Sequence, residues 1–189
     1  MAEKGTRRGP RKATAHHLEN KALYYLARFA TSQENLRRVL MRAVLLSASH
    51  HGTDIETGAR DIVVLLDKLT GRGLLNDAAY AESRARALRR RGLSSRTVRG
   101  RLLAYGLDGE LIIAALEAVD EHGGGELAAA TALALRRGLG PYRRTKREKG
   151  SRDKDLAALA RAGFSYKIAR TVIAAPTPKD LEVLITEGE

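Results

Sequence analysis

The sequence predicts an all-α protein built as an elongated tandem array of three three-helix units. Three observations carry this. First, a helix, a Gly-hydrophobic break and a second helix occur twice. Residues 102–116 read L-L-A-Y-G-L-D-G-E-L-I-I-A-A-L and residues 159–173 read L-A-R-A-G-F-S-Y-K-I-A-R-T-V-I. A shift of 57 residues places Leu102 on Leu159, Gly106 on Gly163, Leu107 on Phe164 and Leu116 on Ile173. Glycine can take the left-handed conformation that ends a helix, and the apolar residue after it packs back on the last turn. Asp108 or Ser165 then caps the next helix. Second, apolar residues recur at helical spacing, and no stretch alternates convincingly over five residues, so no sheet is expected. Third, 43% of residues are hydrophobic but only 4% aromatic. The core must therefore be Leu, Ala, Val and Ile, which suits closely packed helices.

Taken in order, residues 18–31 put Leu18, Ala22, Tyr25, Leu26 and Phe29 on one helical face. Thr31 or Ser32 starts a second helix with Glu34 in its first turn, favourable to the helix dipole, and a stripe of Leu36, Val39, Leu40, Ala43 and Val44. The polar stretch 47–54 reads as a loop, and Thr53 or Asp54 caps a third helix with Ile55, Ala59, Ile62, Val63, Leu66 and Leu69 on its apolar side. Asn76, then Ser94 or Ser95, then Asp108 cap helices over 77–91, 96–105 and 109–121. After Gly123-Gly124-Gly125 come helices near 126–137, 153–162 and 166–174, ended by Pro176 and Pro178, beyond which Leu181, Leu184 and Ile185 allow one more short turn. The implied organisation is a flexible basic arm (1–17), units at 18–75, 76–122 and 123–175, a basic insert at 143–154 in the third, and a C-terminal tail (176–189).

The net charge of +12 is concentrated. Residues 1–12 hold five basic side chains and one acidic, and residues 143–154 hold seven and two. These two segments account for nine of the twelve net charges and lack apolar periodicity. A polyanion or an acidic protein groove is the partner such arms suit. The absence of cysteine excludes a disulfide framework and thiolate chemistry. No apolar run approaches the length of a membrane span and the N-terminus has no secretory pattern, so a cytoplasmic protein is expected.

Little in the chain points to catalysis, and neither an enzyme activity nor a cofactor is expected. The pairs His16-His17 and His50-His51 are adjacent in sequence and do not converge on a metal as i, i+4 pairs do. Asp61 and Asp67 fall on different helical faces, and the serines are explained as caps. Residues 94–122 have the outline of a helix-turn-helix, with Arg96, Arg99 and Arg101 ahead of the turn. Its second helix is apolar and acidic, a poor reader of a polyanion. The aromatic residues fall mostly on apolar faces and read as core.

Several short motifs, in order and at consistent spacing, resemble the RecX family, regulators of the RecA recombinase. They are A-L-Y-Y-L-A-R (22–28), S-x-E-N-L-R-R-V-L (32–40), L-x-x-x-G-L-L-N-D-A-A-Y-A (69–81), S-R (83–84), V-R-x-R-L (98–102), G-L-D-x-E-L-I (106–112) and L-A-R-A-G-F-S-Y (159–166). The chain departs from the family's usual pattern at Arg101 and Tyr105, where Glu and Lys commonly stand. The resemblance implies a non-catalytic, monomeric protein that binds RecA and the RecA–DNA filament, lies in its groove, and inhibits ATP hydrolysis, strand exchange and coprotease activity. Direct binding of single- or double-stranded DNA is a further expectation, and a general DNA-binding helical protein is the alternative.

Contact candidates follow from the motifs and the charge. Arg86, Arg89 and Arg90 are placed on the polar face of their helix, and Arg99 matches the family motif on the next, flanked by Arg96 and Arg101. Arg84 matches the S-R element but projects only about 40° from Tyr80, so a structural and a contact role both stay open. The basic insert contributes Arg143, Arg144, Lys146, Arg147 and Lys149.

Overall fold

The computed structural model describes residues 9–121, 123, 125–144 and 150–187. Among these residues all regular structure is helical, ten α-helices and one 3-10 turn, so the fold is all-α as predicted. The chain divides into two units, the first ending at Asp77 and the second beginning at Ala78.

The first unit contains α1 (Ala15–Leu26), α2 (Gln33–His51) and α3 (Ile55–Gly71). Each starts at a side-chain cap. The Thr14 hydroxyl accepts from the His17 N–H, Ser32 accepts from Asn35, and the Asp54 carboxylate accepts from Glu56 and Thr57. Leu18, Ala22, Leu36, Leu40, Val44, Ile62, Leu66 and Leu69 are buried together with Leu65 and Leu75. Helices α2 and α3 approach closely at Gly58, where an added Cβ would stand 2.6 Å from a Val44 methyl.

Three expectations need correction here. The stretch 47–54 is not all loop, because α2 runs to His51 and ends on Gly52 in the left-handed conformation. Ser47 is tolerated on the buried face because its hydroxyl accepts from the Ala13 N–H (2.9 Å) and from the Thr53 hydroxyl (2.8 Å). Of the N-terminal arm, residues 9–14 are not free of the unit. Ala13 is bonded to Ser47, and the Pro10 carbonyl lies 2.7 Å from the His51 ring nitrogen Nε2. Finally, Phe29, Ile55 and Val63 are exposed, because α1 ends at Leu26 and α3 turns Leu65 inward instead of Val63.

The second unit contains α4 (Asp77–Arg90), α5 (Ser95–Ala104), α6 (Gly109–Glu121), α7 (Gly125–Arg137), α8 (Ser151–Arg161), α9 (Tyr166–Ala174) and α10 (Pro178–Glu187), with the 3-10 turn at Gly140–Tyr142. It has two apolar clusters. One gathers Ala81, Ala85, Leu88, Val98, Leu102, Leu107, Ile112, Ala115 and Val119 from α4–α6 and the turn between α5 and α6. The other gathers Ala130, Leu133, Leu159, Phe164, Val172, Ile173 and Leu181, among others. Leu181 is fully buried, so the segment expected as a tail is a tenth helix seated in that cluster. Thr177 and Asp180 cap it reciprocally. Leu116 is only half-buried, unlike its counterpart Ile173.

The repeated joint is present in both places. Gly106 has φ +76° and Gly163 φ +92°. The Leu107 N–H bonds the Leu102 carbonyl at 3.3 Å, and the Phe164 N–H bonds the Leu159 carbonyl at 3.2 Å. This is the six-to-one closure of a Schellman ending, which satisfies a terminal carbonyl and folds the apolar residue inward. The same closure joins Leu74 to Leu69, Leu93 to Leu88, and Leu139 to Ala134.

Candidate protein and nucleic-acid interface

The structure separates the candidate arginines into those that hold the fold and those that face outward. Arg89 is the clearest correction. It is 5% exposed, not on a free polar face. Its guanidinium donates to Asp120 Oδ1 from Nε (3.0 Å) and from a terminal nitrogen (2.7 Å), to the Leu93 carbonyl (3.2 Å) and to Glu126. The five donors of a planar guanidinium suit such a fork, which ties α4 to α6 and α7. Around it helices α4 and α5 and the loop between them meet α7 and the end of α8 closely. Gly92 lies against the Leu133 backbone, and the hydroxyls of Ser94 and Thr97 donate to the Ala162 carbonyl at 2.8 and 3.1 Å. Arg136 donates to the Arg91 carbonyl at 2.6 Å.

Arg84 is also held. Its guanidinium carbon stands 5.5 Å from the Tyr105 ring centroid, and a terminal nitrogen donates to the Tyr105 hydroxyl at 3.2 Å. Tyr80 meets Tyr105 edge-on at 6.0 Å. Tyr105 is one of the two departures from the family pattern, and a lysine there would offer no ring for this stacking. Arg143 pairs with the buried Asp155 at 2.5 Å, whose other oxygen accepts the Gly140 N–H at 3.0 Å. It secures the 3-10 turn to α8, so its side chain is half committed to structure.

The remaining candidates are exposed. Arg86 pairs with Glu82 one turn away on α4, an exposed pair of the kind worth about 0.3–0.5 kcal/mol and easily exchanged for a partner. Arg90, Arg96, Arg99, Arg101 and Arg144 are exposed and make no ion pair among the described residues. Arg96 and Arg99 lie about 60° apart around α5, whereas Arg101 projects about 160° from Arg99. Lys146, Arg147 and Lys149 fall outside the described residues. A cleft of about 1010 Å³ between α4, α6 and α7 is lined by Arg86, Arg89 and Arg90 with Glu82 and Asp120, and by the alanines at 118, 128, 129 and 132.

Sequence reasoning missed two groups. Tyr24 (65% exposed) and Tyr166 (69%) stand in solvent, as does Phe29, whereas Tyr25, Tyr80, Tyr142 and Phe164 lie in or against the apolar clusters. Tyr166, Lys167 and Arg170 share the outer surface of α9, where the 57-residue shift places Gly109, Glu110 and Ile113 of α6. The helical wheel of α9 carries that signal in the sequence, with both basic residues on its outer face. Among the described residues no cluster of His, Cys, Asp or Glu is arranged to hold a metal ion, and no helix is long and apolar enough to cross a membrane.

Comparison with known proteins agrees with this geometry. A family model described as "RecX, second three-helix domain" matches residues 76–116, which hold α4, α5 and the start of α6. The chain is 42% identical over 174 residues to a regulatory protein RecX of Myxococcus xanthus (strain DK1622), covering 90% of this chain and 91% of that one. It is 31% identical over 165 residues to a regulatory protein RecX of Agrobacterium fabrum (strain C58), covering 87% and 86%. A crystal structure of a regulatory protein RecX superimposes with a TM-score of 0.60 at 22% identity, over 85% of this chain and 72% of that one, a likeness of fold. Helical joints, motif order and near full-length identity converge, and the chain belongs to the RecX family of regulatory proteins.

Proposed function

We propose that this protein is a non-catalytic regulator that binds the RecA recombinase and its DNA filament and inhibits ATP hydrolysis, strand exchange and coprotease activity. Family membership is the observation that carries the reading. The surface supports it, because Arg90, Arg96, Arg99 and Arg101 are exposed and make no ion pair among the described residues, while Arg89 and Arg84 keep the helices beneath them in register. In this reading the protein acts in the cytoplasm, as a monomer and without a cofactor. The units at 18–75, 76–122 and 123–175 are its working modules, and the basic segments 1–12 and 143–154 add affinity for DNA.

The test is RecA-driven ATP hydrolysis on single-stranded DNA, titrated with the protein at substoichiometric ratio. Inhibition at concentrations where the protein does not yet saturate naked DNA is the expected outcome. Tight binding of naked DNA without inhibition would instead assign it as a general DNA-binding protein.

A further inference from the structure

The first unit carries a cationic groove that the sequence reading did not single out. His17, Lys21 and Tyr25, on successive turns of α1, face Asn35, Val39, Arg42, Ala43 and Leu46 of α2 across a cavity of about 380 Å³. Pro10 and Arg11 close one end. Arg11 is not part of a loose arm there, since its neighbours on both sides are bonded to α2, Pro10 through His51 and Ala13 through Ser47. The groove is therefore a built feature of the unit.

Its charge is uncompensated among the described residues. Arg11, Lys21 and Arg42 make no ion pair among the described residues. Helices α1 and α2 hold one carboxylate each, and both are engaged elsewhere. Glu19 binds Lys68 of α3 at 2.7 Å, and Glu34 binds Arg37 at 2.5 Å and Arg38 at 2.9 Å. The field shows at His17, whose pKa is held below the usual histidine value by burial first, then by Arg11, Lys21 and His16. Three guanidinium or ammonium groups around one cleft, with no acid among its described lining residues, are what an anion requires.

The neighbouring rings narrow the class of anion. Tyr25 lines the groove and meets Phe29 at 5.1 Å, and Phe29 and Tyr24 are more than half exposed. Phosphates of a duplex stand on a rigid convex surface with the bases stacked inside. A single strand can turn a phosphate into a cleft and lay its bases on adjacent rings. We propose that this groove is a phosphate site for a single nucleic-acid strand, with Arg11, Lys21 and Arg42 holding a backbone phosphate and the Tyr25–Phe29 pair receiving a neighbouring base. This adds a site in the first unit and does not depend on the recombinase being the protein's target.

The experiment is anisotropy titration of a labelled oligothymidylate with the full chain, no recombinase present, over a salt series. Lys21→Gln with Arg42→Gln is compared with Arg60→Gln, which removes an exposed cation of α3 outside the groove. The double variant should bind about tenfold more weakly with a salt slope reduced by about one, and Arg60→Gln should change affinity less than twofold. In the unaltered protein the His17 ring resonances should shift on addition of the oligonucleotide. Equal effects of the groove and control variants, or His17 resonances that move with inorganic phosphate but not with oligothymidylate, would overturn the assignment. All of these side chains are exposed or half-buried, and unchanged circular dichroism separates lost binding from lost folding.

Discussion

Replacing Arg89 by alanine should cost about 3 kcal/mol. The side chain is 5% exposed, whereas its partners Asp120 and Glu126 keep 34% and 28% of their side-chain surface. Removing one member of a buried pair costs about 3–5 kcal/mol when the orphaned charge stays buried. Here both carboxylates can regain water, which argues for the low end, while the Leu93 carbonyl loses a donor. Arg89→Lys should recover only part, about half, because a point charge cannot fork to two acids and a carbonyl at once. Arg90→Ala, one residue on and fully outside the network, should change stability by less than about 0.5 kcal/mol. Urea denaturation of the three variants, followed by circular dichroism, reads these differences as midpoint shifts at constant slope. If Arg89→Ala and Arg90→Ala were indistinguishable, Arg89 would be a surface residue in solution and the account of how α4 holds α6 and α7 would be wrong.

Other positions test the joints and the core. Gly163→Ala should destabilise by about 1–2 kcal/mol from the left-handed backbone alone, and more because its Cβ would meet the Ser94 hydroxyl at 2.6 Å. Gly100→Ala, mid-helix with open space around it, should stabilise by about 0.5–1 kcal/mol in the same urea assay. Leu159→Ala, at a fully buried site, should cost about 2–5 kcal/mol, and Leu116→Ala less, because that side chain is already half in solvent. Glu34, hydrogen-bonded by Arg37 and Arg38, has its pKa lowered from 4.5 to about 2. A depressed folded-state pKa stabilises above the unfolded value and loses that contribution on acidification. The stability gap between the protein and Glu34→Gln, about 0.5 kcal/mol at neutral pH for so accessible a pair, should therefore close as pH falls from 4.5 toward 2. A gap independent of pH would contradict it.

What could be read from the sequence follows the range of the forces involved. The joints at Gly106 and Gly163 were legible because helix ending, apolar return and capping are settled within a few residues. Leu102 and Leu159 were legible because a helical stripe of leucines has few alternatives to burial. Arg89 was not, since periodicity around α4 distinguishes the face against α5 and α6 but gives no sign that a second face meets α7. Its partners lie 31 and 37 residues away and nothing local pairs them. The polar run at 47–51 looked like a loop because composition does not reveal that Ser47 would find two donors. The groove in the first unit was hidden for the same reason, since nothing local to Arg11 shows that Pro10 and Ala13 on either side of it bond His51 and Ser47. The exposure of Arg86 and Arg90 was legible from the polar face of α4, and their partner rests on the family.

The most direct test of the regulator reading compares two variants in RecA-promoted strand exchange and in naked-DNA binding. One reverses the charges of Arg90, Arg96 and Arg99, which are exposed and free of ion pairs among the described residues. The other deletes residues 1–8 and neutralises the basic residues of 144–149, sparing the pinned Pro10–Ala13 segment and Arg143. The account predicts that surface reversal relieves inhibition of strand exchange more than it weakens DNA binding. The arm variant should do the opposite and flatten the salt dependence of DNA binding. If both variants reduced inhibition and DNA binding in parallel, the protein would act through DNA alone, and a direct contact with the recombinase would be contradicted.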